Sequence, residues 1–287
     1  MTNSTPLLLS GKEVAKSILM RTRKQVHDAL DQGQEVGLCV LQVGECEASS
    51  IYVARKESRA QRLGFVSTTL KLSTDISEES LIEQLHRLNT NPFIHGILVQ
   101  LPLPSHIDEQ RVLDTIDPSK DVDGFHPINS GLLSQGRPNF VPCTPKGVIG
   151  ILNHYQIPLS GQHAVVIGRS NIVGRPMAQL LEQQNCTVTV CHSRTSDLKS
   201  HLLTADIVVA AVGIPNMVRG EWLKQGVVVI DVGINRLDDG SICGDVDFES
   251  ASKIASAITP VPGGVGPTTI ANLMENTWMA FQRSSKG

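Results

Sequence analysis

The chain has no excess of either charge. Its 25 basic side chains stand against 28 acidic ones in 287 residues, which leaves no electrostatic footprint for nucleic acid or for an anionic membrane. A small-molecule partner is expected instead. The sequence also has no CxxC pair, no Cys/His spacing suited to zinc and no HExxH, so a metal has no visible cage and none is expected. The six cysteines, Cys39, Cys46, Cys143, Cys186, Cys191 and Cys243, lie mostly in apolar stretches and read as reduced, largely buried thiols. Long apolar runs are missing too. Leu7 to Leu9 is far too short for a signal or a membrane span, and "MTNSTPLLLSGKEVAKS" has no basic n-region, so a soluble, untargeted cytoplasmic protein is expected.

What is present is a regular alternation. The length suits two domains, each able to bury most of its apolar surface. Ser10 with Glu13 predicts a capping box that opens a first helix carrying Val14, Ile18 and Val26. "VGLCVLQVG" (36–44) and "FVSTTLKL" (65–72) read as strands on either side of a helix, and "SEESLIEQLHRLNT" (77–90) reads as a capped helix. "GILVQLPLP" (96–104) then reads as a buried strand stopped by prolines. A passage rich in proline and glycine, from "KDVDGFHPINSG" to "RPNFVPCTPKG", places a domain boundary near residue 140.

Beyond that boundary the alternation restarts with strands at "HAVVIG" (163–168), "TVTVCHS" (187–193), "DIVVAAVG" (206–213) and "VVVIDVG" (227–233). Helices are expected from about Pro176 to Gln184 and around 196–204. The fold class is therefore α/β with two domains: an N-terminal α/β domain with a mainly parallel sheet over 1–140, and a Rossmann-like domain over 141–267. A last helix, from about 268 to 287, is expected to pack back on the first domain.

"VVIGRSNIVGRP" (165–176) runs from a strand through Gly168 and Gly174 to a proline that opens a helix. A tight turn feeding a helix N-terminus favours a phosphate. It departs from G-x-G-x-x-G, since Ser170 replaces the middle glycine and the last glycine comes one residue late. Gly168, Arg169, Ser170 and Gly174 are nonetheless the expected phosphate turn. The following strand ends in Ser193, Arg194 and Thr195 with no carboxylate for a ribose 2′-OH, which together with Arg169 points to NADP over NAD.

Near the start, "SSIYVARKESRA" (49–60) holds one of only two tyrosines, Tyr52, four residues before Lys56. Helical geometry puts the pair on one face, which taken alone describes a solvated surface helix as well as a site. Four stretches change that balance. "YVARK" (52–56), "VQLPLP" (99–104), "KDVDGF" (120–125) with "GRSNIVGRP" (168–176), and "TPVPGGVGPTT" (259–269) together resemble the bifunctional methylenetetrahydrofolate dehydrogenase/methenyltetrahydrofolate cyclohydrolase family over nearly the whole length.

The resemblance implies a folate-binding cleft between an N-terminal α/β domain and an NADP-holding Rossmann domain, in a cytoplasmic homodimer that serves one-carbon metabolism and purine biosynthesis. It implies that Lys56 is the catalytic lysine, that Tyr52 lies against the folate and that Gln100 positions the lysine. It implies further that Asp123 anchors the pterin ring, while Asp121 reads as a structural cap. Arg169, Ser170, Ser193 and Ile234 match cofactor-contacting positions. The loop with Pro262, Gly263 and Gly264 matches the substrate-side loop beside the nicotinamide. The family commonly has methionine where this chain has Thr268, a competent helix cap.

The implied reactions are NADP-dependent oxidation of 5,10-methylenetetrahydrofolate to the methenyl cation and hydrolysis of that cation to 10-formyltetrahydrofolate. Hydride transfer asks mainly for positioning, whereas hydrolysis asks for a side chain that can change protonation, as a buried lysine can. Three other readings remain: a dehydrogenase without the second activity, a different two-domain oxidoreductase, and a non-catalytic NADP-binding regulator.

Overall fold

The computed structural model describes residues 5–44 and 47–285, the side chains at 47–52 excepted. In chain order the strands are β1 (Leu7–Leu8), β2 (Gly37–Val43), β3 (Val66–Leu72), β4 (Gly96–Val99), β5 (His163–Ile167), β6 (Thr187–Cys191), β7 (Ile207–Ala210), β8 (Val228–Asp231), β9 (Asn235–Arg236), β10 (Ile242–Cys243) and β11 (Ala257–Ile258). The helices are α1 (Gly11–Leu30), α2 (Glu47–Leu63), α3 (Glu78–Thr90), α4 (Glu109–Thr115), α5 (Pro127–Ser134), α6 (Cys143–His154), α7 (Gly174–Gln183), α8 (Leu198–Leu202), α9 (Phe248–Ser252) and α10 (Val265–Ser284).

Two compact units divide the chain. One holds residues 17–141 and 270–287, the other residues 1–16 and 142–269. The first sixteen residues thus depart from the expected grouping over 1–140. The reason is β1, whose Leu7 and Leu8 pair in parallel with Ala257 and Ile258 of β11.

In the unit built on residues 17–141, three parallel strands lie in the order β3-β2-β4. β2 is buried over Gly37–Gln42 because helices cover the sheet, and parallel strands covered this way read as unbroken apolar runs. Its core joins Leu41, Ile97 and Val99 of the sheet to Leu81 and Leu85 of α3 and Val112 of α4. Each such side chain, when fully buried, is worth about 1.5–3 kcal/mol. α3 begins where predicted, with the Ser77 hydroxyl accepting from the Ser80 N–H. β4 is shorter than the expected strand over 96–104 and stops at Val99. Beyond it Ile97 bridges to Asp121, and the Ile97 N–H donates to the Lys120 carbonyl, so the 120–122 segment continues the sheet. Gly96 makes room for this, since a Cβ there would sit 2.8 Å from Val122 Cγ1.

In the other unit six parallel strands lie in the order β1-β11-β8-β7-β5-β6. Four of them are the strands read from the sequence. β1 and β11 have only two residues each, too few for a periodic signal. The order reverses at β5, because β6 lies on one side of it and β7 on the other. The carboxyl ends of β5 and β7 therefore form a topological switch point, where open α/β sheets bind ligands.

Two local expectations fail for identifiable reasons. The capping box at Ser10 does not form as predicted: the Ser10 N–H donates to the Tyr155 hydroxyl (3.0 Å) and to the Leu8 carbonyl (3.1 Å) instead of to Glu13. Thr268 is no cap either. It lies inside the first turn of α10, fully buried, and its hydroxyl donates back to the Val265 carbonyl at 2.7 Å.

Candidate active site

α2 carries Val53, Lys56, Ala60 and Leu63 on its buried stripe, while Arg55 and Arg59 face water. A lysine on the apolar stripe of a helix is costly unless its ammonium is hydrogen-bonded. Lys56 is only 7% exposed, and its Nζ donates to Gln100 Oε1 at 3.1 Å. Gln100 is held from both ends. Its backbone N–H donates to the Leu41 carbonyl at 2.8 Å, and its Nε2 donates to the Leu101 carbonyl at 2.7 Å. A carbonyl can only accept and an ammonium can only donate, so these two partners fix which way the amide faces. Gln100 follows β4 directly, at the carboxyl end of a parallel strand.

Asp123 belongs to the same constellation. Burial pushes its carboxyl up to about 6, with the Lys56 charge pulling it back down and Asp121 adding to the rise. Part of its surface still reaches solvent, which suits a group that meets a ligand. Asp121 behaves as the structural residue it was read to be. It is 1% exposed and accepts from the N–H groups of Gly124 (3.1 Å) and His126 (2.8 Å) and from Asn129 Nδ2 (2.8 Å). Burial raises its pKa and these hydrogen bonds oppose the rise. The far side of the same loop is pinned by α10, where Asn276 Nδ2 donates to the carbonyls of Val122 (2.9 Å) and Val141 (3.1 Å). Lys56, Gln100 and Asp123 are thus gathered by rigid elements. Tyr52 lies on α2, one turn before Lys56, with its side chain outside the described residues.

The remaining candidates lie in the unit with the six-stranded sheet. Gly168 directly follows β5 with φ +121°, and a Cβ there would stand 2.2 Å from the Ala211 carbonyl oxygen. At Gly174 a Cβ would stand 2.2 Å from the Gly168 oxygen. Both positions therefore require glycine, and the turn packs backbone against backbone. The Ser170 hydroxyl accepts from the N–H groups of Val173 (3.2 Å) and Gly174 (3.3 Å), and its carbonyl accepts from Arg175 N–H (3.0 Å). This corrects the picture of open N–H groups at the start of α7. Ser170 occupies them and keeps its own O–H proton as an outward donor, leaving the exposed Arg169 side chain and the helix dipole to attract an anion.

Ile167 and Cys191 are direct partners across β5 and β6. Arg169 and Ser193 each lie two residues beyond that pair, on the turns at the carboxyl end of the sheet. Ser193 and Arg194 are exposed on a turn closed by His192 N–H donating to Thr195 Oγ1 at 2.8 Å. Ile234 is 58% exposed beyond β8 at the same end. Pro262, Gly263 and Gly264 follow β11; the Val261–Pro262 peptide is cis and Gly263 has φ +111°. The Gly263 carbonyl accepts from Gly11 N–H at 3.1 Å, which ties this loop to the start of α1.

Sequence reasoning missed a pair of buried carboxylates in this unit. Asp231 (4% exposed) ends β8 and accepts from the N–H groups of Gly233, Asp245 and Val246, each at 2.9 Å. Asp245 (0% exposed) accepts from Val212 N–H (2.6 Å), Gly213 N–H (3.0 Å) and Asn235 Nδ2 (2.9 Å). Burial pushes Asp231 up to about 6 against the pull of its backbone donors. The available signal was an aspartate within two residues of a glycine in each of "VVVIDVGIN" and "ICGDVD".

Comparison with known proteins places both units. Residues 9–123 match the family model described as tetrahydrofolate dehydrogenase/cyclohydrolase, catalytic domain, and residues 142–285 match the NAD(P)-binding domain of the same name. The chain is 52% identical over 282 residues to the bifunctional protein FolD of Streptococcus thermophilus, covering 98% of this chain and 99% of that one. Among solved structures, the bifunctional FolD methylenetetrahydrofolate dehydrogenase/cyclohydrolase of Campylobacter jejuni superposes with a TM-score of 0.94 at 47% identity, covering 96% of this chain and 99% of that one. The Trypanosoma brucei methylenetetrahydrofolate dehydrogenase-cyclohydrolase, complexed with NADP and an inhibitor, gives a TM-score of 0.94 at 38% identity over 99% of this chain and 100% of that one.

Proposed function

The chain belongs to the tetrahydrofolate dehydrogenase/cyclohydrolase family, and from that premise we propose that it is a bifunctional enzyme. It oxidises 5,10-methylenetetrahydrofolate to 5,10-methenyltetrahydrofolate with NADP and hydrolyses the product to 10-formyltetrahydrofolate. The observation that carries the second activity is the buried Lys56 hydrogen-bonded to Gln100 with Asp123 beside it. A dehydrogenase alone has no use for a desolvated lysine held by an amide.

The unit over 17–141 and 270–287 binds the folate. Asp123, as a carboxylate, accepts the aminopyrimidine edge of the pterin, and Tyr52 lies against the ring. Lys56 moves a proton at Nζ as water adds to the methenyl carbon, and Gln100 keeps Nζ aimed by accepting one of its protons while spending its own amide protons elsewhere. Pro262, Gly263 and Gly264 form the substrate-side loop.

The dinucleotide fits the second unit. The tight turn at the end of β5, where a Cβ at Gly168 or Gly174 would strike backbone, fits the glycine turn that opens a dinucleotide site at a switch point. Gly168, Arg169, Ser170, Ser193 and Ile234 hold the dinucleotide, with Arg169 and Ser193, each two residues past the Ile167–Cys191 pair, to receive a 2′-phosphate. When bound, NADP+ supplies the hydride acceptor. The enzyme works as a cytoplasmic homodimer and feeds one-carbon units to purine biosynthesis.

The test is Lys56→Met, assayed spectrophotometrically for methenyl formation with NADP+ and for decay of added methenyltetrahydrofolate. Accelerated decay should be lost while folate and NADP binding persist. Unchanged decay would remove Lys56 from its role.

A further inference from the structure

Two loops lie at the carboxyl end of the six-stranded sheet, on the neighbouring strands β7 and β8. One follows β7 and includes Ala211, Val212 and Gly213; its Ala211 carbonyl is the atom a Gly168 side chain would strike. The other follows β8 and carries Ile234 and Asn235. Both are exposed or partly exposed where they meet solvent, yet both are held from beneath by one wholly buried group. Asp245 accepts from Val212 and Gly213 on Oδ2 and from Asn235 on Oδ1.

Asp245 is in turn held by Asp231, which accepts from the Asp245 and Val246 N–H groups as well as from Gly233. The two carboxylates together satisfy five backbone N–H groups on three separate segments. The backbone is shaped to admit them. A Cβ at Gly244 would sit 1.8 Å from Asp231 Oδ2, and one at Gly233 would sit 2.3 Å from Asp245 Oδ1. Groups this costly to bury are retained where a fixed geometry is needed that an apolar residue cannot impose.

We infer that Asp245, supported by Asp231, is a positioning residue for the dinucleotide: it clamps the Ile234–Asn235 loop to the Val212–Gly213 loop, whose neighbour Ala211 abuts the Gly168 turn. The inference rests on the reading that NADP binds at that turn. Asp245 touches no nucleotide itself. Its three partners are all donors, so the position demands an acceptor on each side, but the demand is not strictly for a charge. An asparagine can turn its oxygen to Val212 and Gly213, with its NH2 facing a flipped Asn235 amide that now accepts.

The experiment compares Asp245→Ala and Asp245→Asn with the unaltered full-length protein. NADP+ affinity is measured by calorimetric titration, and methenyltetrahydrofolate hydrolysis is measured without nucleotide. Asp245→Ala should weaken NADP+ at least about tenfold, the equivalent of one net charged hydrogen bond. Asp245→Asn should recover to within about threefold of the unaltered protein. Hydrolysis without nucleotide should stay within about twofold in both, since only the nucleotide loops lose their clamp.

Equal loss in the alanine and asparagine variants would overturn the acceptor geometry. Parallel loss of hydrolysis and NADP+ affinity would overturn the positioning role in favour of a general structural one. Should Asp245→Ala not fold, Asn235→Ala removes only the Oδ1 contact and should weaken NADP+ about threefold; unchanged affinity there counts against the clamp. An unaltered protein that binds no NADP+ overturns both the functional reading and this inference. Normal binding with unchanged Asp245→Ala affinity overturns the inference alone.

Discussion

Lowering the pH from 7 to 5 should weaken folate binding about tenfold through a single carboxyl group. Burial raises Asp123 to about 6, and its two charged neighbours act in opposite directions: Lys56 lowers the value and Asp121 raises it. With a midpoint near 6, the ionised fraction is about nine-tenths at pH 7 and about one-tenth at pH 5. Only the ionised form presents two acceptors to an aminopyrimidine edge. Affinity is therefore full above the midpoint and falls as the pH drops through it. The assay is calorimetric binding of folate from pH 5 to 8, with Asp123→Asn as the control that carries the ligand's own titrations. The variant should bind weakly at every pH and show no step near 6. Lys56→Met adds a second arm, because removing the attraction must move the step to higher pH. No step between pH 5 and 8, the same step in Asp123→Asn, or no displacement in Lys56→Met would refute the reasoning.

Three further outcomes follow from the other unit. Gly168→Ala forces a Cβ to within 2.2 Å of the Ala211 oxygen at φ +121°, so it should cost at least about 2 kcal/mol in urea unfolding and abolish NADP+ binding; a loss below about 0.5 kcal/mol would contradict the packing. Arg169→Ala should weaken NADP+ far more than NAD+ in direct titrations, and equal losses would remove the 2′-phosphate argument. Asp231 has a folded value of about 6 against 3.8 unfolded, so the folded state binds the extra proton and gains stability as the pH falls through 6. Between pH 8 and pH 5 the unaltered protein should gain about 1.4 kcal/mol relative to Asp231→Asn in urea titrations, and a difference that stays constant or shrinks would reverse the sign.

How much of this was legible depended on whether the physics is local. β2, β5, β7 and β8 were visible because strands covered on both faces are apolar runs, the half-exposed edge strand β3 because it is rich in β-branched residues, and α3 because Ser77 caps it. β1 and β11 were not visible, since two residues carry no period and their pairing joins opposite ends of the chain. By helix pattern alone Lys56 looked like one more cation on a charged helix; the "YVARK" stretch singled it out, and the fold adds that it is buried while Arg55 and Arg59 are exposed, because burial depends on what α2 packs against. Gln100 and Asp123 were readable as motif positions, but the orientation of the Gln100 amide comes from the Leu101 carbonyl and Lys56 together. Asp231 and Asp245 escaped notice because five of their six donors are backbone groups, which no pattern of side chains announces. Thr268 was misjudged by three residues of helix, enough to turn a cap into a buried back-bonding hydroxyl.

The pairing of β1 with β11 also sets a clock. Leu7 and Leu8 are made about 250 residues before Ala257 and Ile258, their partners in the finished sheet, and at about 5–20 residues per second a ribosome takes roughly 12 to 50 s to cover that distance. Until then the leucines have no strand to lie against, and Leu9, wholly buried in the native protein, has nowhere to go. A segment made early is thus among the last to be placed, and the six-stranded sheet cannot be completed on that side until α9 and β11 have been made.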